Sequence, residues 1–343
     1  MAAALCDFEG FVVAPSDGQI GGISYARGAS TLSGKSQPRM KTDDGEALIR
    51  LRPAQKVIGR IRENRKDIFL VGFKTTAGDS PEDQYVAGLT LLKKSSCNLV
   101  LANDVHTRLN MVITPERARY HETTNRKEAI RGLVEMAVAR SKLRFTRSTI
   151  VPGGPVPWQS DEVPSSLRAV VDHCIRRGAY RPFLGSTVGH FAVKVRDGEF
   201  LTSRRKTDFN SLQDVGLVRV LSDGDDSVTA FGSRPSVGGQ SQRIVFAEHP
   251  DADCIVHAHV RIRPDSPVPI RSQREYECGS HECGQNTSSG LQKFDVGGGQ
   301  YVYAVMLDRH GPNVVFHRSV DPDRVCAFLD RNFTLADPTD SFA

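Results

Sequence analysis

His249-Pro250-Asp251-Ala252-Asp253-Cys254-Ile255-Val256-His257-Ala258-His259 is the stretch on which the reading of this chain turns. Its apolar run Cys254-Ile255-Val256 predicts a buried strand. In a strand, residues i and i+2 point to one face, so His257 and His259 lean toward a common point while Ala258 faces away. Further along, Leu307-Asp308-Arg309-His310-Gly311 offers a third imidazole from a separate strand end. Three nitrogen ligands with a position left open is the usual arrangement of a catalytic zinc-type centre. The alternative is that these are ordinary strand histidines.

Around this stretch the second half reads as a helix over Ser165–Arg177, with Leu167, Val170, Val171 and Cys174 on one face. Short strands follow at Phe191–Val195, Leu217–Leu221, Arg243–Phe246, Ile255–His259, Tyr301–Leu307 and Val314–His317. Many strands with few helices predict an α/β/α layered domain with a mixed or antiparallel sheet.

The first half alternates differently. Phe8–Ala14 reads as a strand, Gly21–Pro38 as a small-residue loop, and Pro53–Asn64 as a helix with Pro in its first turn. Ile68–Phe73 is a predicted strand. Ser80-Pro81 supplies an N-cap and N1 pair for a helix running to about Lys94. Asn98–Ala102 and Asn110–Ile113 are further strands, and Arg126–Arg140 an amphipathic helix. Alternation of this kind predicts an α/β layer with a largely parallel sheet. The Pro/Gly-rich run Val151–Trp158 interrupts it. The expected organisation is therefore a first domain over 1–147, a linker over 148–164, a second domain over 165–336 and a tail over 337–343.

Composition bounds the rest. A chain of 343 residues fits two domains, each able to bury a core without staples. Hydrophobic content of 39% with 25% charged residues suits a soluble globular protein, and no apolar run approaches the roughly eighteen residues a membrane helix needs. The start of the sequence has no basic segment followed by an apolar one, so the expectation is a cytoplasmic protein. Seven scattered cysteines argue for reduced thiols rather than a disulfide framework. A net charge of +5 without a basic block gives no support for nucleic-acid binding.

The residues of the second half resemble the class II aldolase/adducin family over roughly 165–335. The similarity is carried by Arg234-Pro235-Ser236, Phe246, the His249–His259 stretch and Arg309-His310-Gly311. It implies an α/β/α fold, a homotetrameric ring, and a divalent metal, Zn2+ in such enzymes, on His257, His259 and His310. It also implies lyase chemistry on a small phosphorylated substrate, in which the metal stabilises developing oxyanion charge. Adducin-like members imply that the same fold also serves as a nonenzymatic scaffold.

Two departures from the family matter. Gly238 stands where catalytic members carry a glutamate two residues beyond the position of Ser236. The family's phosphate-binding elements are replaced by Gly185-Ser186-Thr187 and Thr202-Ser203-Arg204-Arg205, which makes Ser186, Arg204 and Ser236 the expected phosphate contacts. The dense segment Arg274–Gly284 offers replacements for the lost carboxylate. Glu282 is the expected proton acceptor and Glu277 the other candidate, while Cys278, His281 and Cys283 form either a second ion site or part of a polar turn.

Residues 8–142 resemble the carboxy-terminal portion of phosphopantothenate–cysteine ligase. The matching blocks are Phe11–Asp17, Arg39–Thr42 with Gly45–Leu48, Leu51–Ile58, Leu70–Lys74 and Val100–Val105. The resemblance implies a partial Rossmann-like domain that binds CTP or ATP with Mg2+, with Asp17, Lys41, Phe73 and Asn103 at the nucleotide and intermediate pocket. Asn103 is also expected to take a catalytic role, or simply to start a turn. The family's amino-terminal phosphate loop has no counterpart in this sequence, which leaves two expectations: a second polypeptide supplies it, as in a split ligase of coenzyme A biosynthesis, or the domain binds something else.

Overall fold

The computed structural model describes residues 23–27, 30–34, 48–49, 57–65, 67–222, 227–236 and 239–338. Asp17, Lys41 and Gly238, named above, lie outside the described residues.

A small antiparallel sheet of order β2-β1-β3 comes first, from β1 (Ile23–Arg27), β2 (Ser30–Gly34) and β3 (Leu48–Ile49). The Gly21–Pro38 stretch expected as a loop thus holds two antiparallel strands, in which Arg27 pairs with Ser30.

The rest of the first half is α1 (Val57–Asn64), β4 (Val71–Thr76), α2 (Pro81–Ser95), β5 (Leu99–Asp104), β6 (Asn110–Ile113), β7 (Arg119–Thr123) and α3 (Arg126–Arg140). Ser80 caps α2 as expected, its hydroxyl accepting from the Asp83 N–H. β5 is buried along its whole length and alternates between two cores. Val100 and Ala102 pack with Leu89 and Leu92 of α2, whereas Leu99 and Leu101 pack with Leu133 and Met136 of α3. The sheet is therefore covered on both faces.

Its order is β4-β5-β6-β7, and only the β4–β5 pair is parallel. The largely parallel sheet expected here is corrected by connection length. The short segments between β5, β6 and β7 leave room only for antiparallel neighbours, since a parallel return needs a crossover of about a dozen residues.

The second half comprises β8 (Arg147–Val151), α4 (Ser165–Arg176), β9 (His190–Arg196), β10 (Glu199–Thr202), α5 (Leu212–Val215), β11 (Val218–Ser222), β12 (Ser227–Phe231), α6 (Gly239–Glu248) and β13 (Cys254–His257). It continues through β14 (Val260–Ile262), β15 (Ile270–Arg271), α7 (His281–Gly290), β16 (Gln292–Gly297), β17 (Gln300–Leu307), β18 (Gly311–Phe316), α8 (Pro322–Asn332) and β19 (Phe333–Pro338). A mixed sheet runs β15-β17-β18-β13-β9-β10-β11-β12-β8, with β16 paired to β17. Leu167, Val170 and Val171 of α4 and Leu329 of α8 fill one face, and Val245 and Phe246 of α6 the other. This is the expected α/β/α layering.

Two expectations are revised. Arg243–Phe246 lies inside α6, because a four-residue apolar run carries no periodicity that separates a strand from a buried helix turn. The Pro/Gly stretch expected as a linker is built into the second half. β8 pairs parallel to β12, Val156 exchanges backbone hydrogen bonds with Leu217 (2.9 and 2.8 Å), and Trp158 is buried edge-on to Phe191 with ring centroids 5.5 Å apart. β8 is mostly exposed and begins Arg-Ser-Thr, so it shows none of the apolar signal of an inner strand.

The halves meet along the 272–284 segment. Arg140 of α3, fully buried, pairs with Glu116 at 3.0 Å and donates to the carbonyls of Arg274 (3.0 Å) and Gln273 (3.2 Å). Glu116 accepts from the Cys278 N–H at 2.6 Å. Asn98 donates to both oxygens of Glu277, at 3.1 Å each. Arg309, next to His310, donates to the Arg119 carbonyl and lies over the Tyr120 ring at 5.4 Å. The turn that carries His310 is thus seated against the β6–β7 hairpin of the first half.

Candidate metal centre and adjoining cavity

β13 places His257 at its last residue, and the chain bends before β14, so His257 and His259 flank a strand end instead of sharing one strand. His310 lies in the turn between β17 and β18. All three side chains are buried, with one nitrogen of each within 4.8 Å of the others. Ring centroids are separated by 5.1 Å for His257–His259, 4.6 Å for His257–His310 and 4.7 Å for His259–His310.

Close backbone packing makes this convergence possible. Gly311 has φ +137°, and a Cβ there would lie 2.0 Å from the Ala258 carbonyl oxygen. Gly189 has φ +109°, and a Cβ there would lie 2.5 Å from the His257 carbonyl oxygen. Only glycine fits at either position.

The donor set suits a divalent metal. His257 Nδ1 lies 2.8 Å from the Pro312 carbonyl, to which it donates, so Nε2 is the ligating atom. His257 Nε2 and His259 Nδ1 are buried with no hydrogen-bond partner among the described residues. Orphaned buried nitrogens of this kind are what metal ligands look like without the ion. Burial holds the His257 pKa down at about 4. Burial, with the neighbouring imidazoles next in weight, holds His259 and His310 well below their ordinary value. All three are neutral near pH 7, the ligating form.

A fourth imidazole, not singled out by the sequence, stands beside the three. His190 lies directly opposite His257 in the β9–β13 pairing, with ring centroids 4.8 Å apart. The available signal was Gly189-His190 at the start of an apolar strand, but only the strand pairing brings it to the site.

A cavity of about 320 Å³ is lined by Phe145, Thr146, Ser148, Arg205, Arg234, Ser236 and Gly279 among others. Hydrogen bonds tie its lining to β9: Ser236 donates its N–H to the Ser203 carbonyl (2.8 Å), and the Ser203 hydroxyl accepts from the N–H of Phe191, the neighbour of His190 (3.4 Å). Of the expected phosphate contacts, Ser236 is in the cavity lining. Ser186 sits in a tight turn closed by mutual Phe183–Ser186 backbone bonds, and Arg204 pairs its backbone with Pro235. Arg205 and Arg234 supply the cavity's positive charge, a one-residue change in parity that the sequence does not resolve.

Glu282 is in the first turn of α7 and accepts from Arg144 through both the backbone N–H (3.0 Å) and Nε (3.2 Å). Its pKa is shifted below the ordinary range, the hydrogen bonds and ion pair outweighing partial burial, so the structure engages it as an ion-pair partner across the halves. Glu277 behaves oppositely. Burial, reinforced by Glu116, raises its pKa to about 7. Cys278 is pushed well above the usual thiol range, chiefly by burial.

Because Glu277 takes up its proton more readily in the folded state, its stabilising contribution is fully present below about pH 4.5 and is lost as pH rises through about 7. Glu277→Gln is therefore expected to gain stability relative to the parent between pH 5 and pH 8, by at most about 3 kcal/mol. Thermal denaturation at both pH values checks this; a difference independent of pH counts against a buried, protonatable Glu277.

In the first half, β4 and β5 place Phe73 and Asn103 on one face, with Thr75 opposite Asn103. Asn103 is buried and accepts from the Thr75 hydroxyl at 3.2 Å, whereas Phe73 is 56% exposed. The neighbouring Asp104 accepts the N–H groups of Gly78, Asp79, His106 and Thr107, which fixes the loops at this strand end.

Comparison with known proteins matches both halves. Residues 170–262 match the family model for the Class II Aldolase and Adducin N-terminal domain. A stretch of 82 residues, 24% of this chain, is 33% identical to the coenzyme A biosynthesis bifunctional protein CoaBC of Thermococcus kodakarensis, and this match spans 20% of that relative's length. Among solved structures, the DNA/pantothenate metabolism flavoprotein from Streptococcus pneumoniae is 20% identical over 29% of this chain and 45% of its own, with a TM-score of 0.24. A putative aldolase/epimerase/decarboxylase from Escherichia coli is 19% identical over 48% of this chain and 82% of its own, with a TM-score of 0.34. The chain thus carries one stretch similar to class II aldolase and adducin N-terminal domains and another similar to part of a CoaBC protein. Among the described residues no helix is long and apolar enough to cross a membrane.

Proposed function

We propose that the second half is a metal-dependent lyase acting on a small phosphorylated substrate, with a zinc-type ion held by His257, His259 and His310. The observation that carries this reading is the convergence of three buried, neutral imidazoles on one point, two of them with orphaned nitrogens. Bound there, the ion supplies Lewis-acid stabilisation of oxyanion charge developing on the substrate. The chain's own residues do the rest. Pro312 fixes the His257 tautomer through its carbonyl. Arg205 and Arg234, with the Ser236 hydroxyl, hold the substrate's phosphate in the cavity, since guanidinium forks match phosphate oxygens bidentately.

The first half, in this reading, is a nucleotide-binding module. Phe73 and Asn103 on their shared face take CTP or ATP with Mg2+. The protein works as a cytoplasmic homotetramer.

The test is a screen of phosphorylated hydroxycarbonyl compounds for carbon–carbon cleavage by the zinc-reconstituted protein. Cleavage is expected with metal and not with His257→Ala. Arg205→Ala and Arg234→Ala are each expected to raise KM about 10–100-fold, the worth of a lost charged hydrogen bond, with a smaller effect on kcat. Cleavage that survives His257→Ala contradicts the proposal.

A further inference from the structure

His190 and His257 face each other across the β9–β13 pair, so their side chains leave the same face of the sheet, with rings tilted by only 31°. His190 is buried, yet it is not one of the three histidines whose ligating nitrogens converge. Its Nδ1 lies 2.7 Å from Nε2 of Gln242, a side chain on α6 with no exposed surface. An amide nitrogen only donates, so Nδ1 accepts. The single proton of the neutral ring then sits on Nε2. In this tautomer Nε2 neither ligates a metal nor takes up a proton; it donates one hydrogen bond.

We infer that His190 is an oxyanion donor: its Nε2–H, fixed by Gln242, hydrogen-bonds the substrate oxygen on which negative charge develops beside the three-histidine centre. The inference rests on the metal reading above. A neutral histidine suits this role because a charged one would protonate the oxyanion instead of stabilising it in place. Gln242 is a positioning residue that acts through His190.

The probe is glycolohydroxamate, a chelating anion shaped like an enediolate, titrated calorimetrically into the zinc-loaded full chain, with metal content measured on every variant. His190→Ala is expected to keep its metal and to weaken binding about 10²–10³-fold, the scale of one lost oxyanion donor. Gln242→Glu has nearly the same shape but accepts where glutamine donates. It should draw the ring proton to Nδ1 and weaken binding similarly, and nitrogen-15 NMR of histidine-labelled holoprotein should show the proton moving from Nε2 to Nδ1. If His190→Ala does not fold, Gln242→Glu decides alone. Full affinity with full metal content in either variant, or a His190 Nε2 without a proton in the parent, overturns the inference. A parent protein that binds no metal overturns the reading beneath it instead.

Discussion

Gly311→Ala is expected to destroy the three-histidine site and to cost about 3 kcal/mol or more, a Tm fall of roughly 6–12 °C for a domain of this size. Two effects add. At φ +137° an L-residue is strained whatever the space around it. The added methyl group would also lie 2.0 Å from the Ala258 carbonyl oxygen, 3.0 Å from its carbon and 3.1 Å from the His259 Cα. All three atoms are backbone, so no flexible side chain can swing aside. Relief requires the His310 turn to separate from the 257–259 segment, which pulls the ligands apart. Gly154→Ala, with nothing within 4 Å and no positive φ, is the matched control and should be silent. Thermal denaturation together with metal content reads both effects; a Gly311→Ala protein of parental Tm and metal content would show that the close approach is unnecessary.

Arg140→Ala is expected to have the second large effect, about 3–5 kcal/mol, because it leaves the Glu116 carboxylate buried without its counter-charge. The loss extends beyond the pair. Arg140 also holds the Arg274 and Gln273 carbonyls, and Glu116 holds the Cys278 N–H, so the 272–284 segment should open. Hydrogen exchange should rise at residues 272–284 before it rises in α4 or α8. Arg140→Lys should recover little, since an ammonium cannot bridge three acceptors in a plane. In a double-mutant cycle, Glu116→Gln combined with Arg140→Met should cost less than the sum of the two single changes. Additive costs would mean that the two side chains act independently.

Much of the site was legible in local sequence. His257, His259 and His310 stand out because each follows an apolar run that had to be a strand, and the Ser80-Pro81 start of α2 carries its own capping chemistry. What was not legible depends on partners distant in sequence. His190 becomes a site residue only through its register with His257. Arg205, not Arg204, reaches the cavity because of how the 203–205 strand end turns against 234–236. β8 hides because an exposed strand with a polar start needs no apolar alternation. Glu282 and Glu277 look alike as sequence, yet Arg144 ties one in an ion pair while burial beside Glu116 raises the pKa of the other.

The most direct test is metal content by mass spectrometry, on protein purified without chelator, compared with His257→Ala/His259→Ala. About one zinc-type ion per chain, lost in the double variant, is the predicted result. No ion in either protein would contradict the account and leave the second half as a binding scaffold.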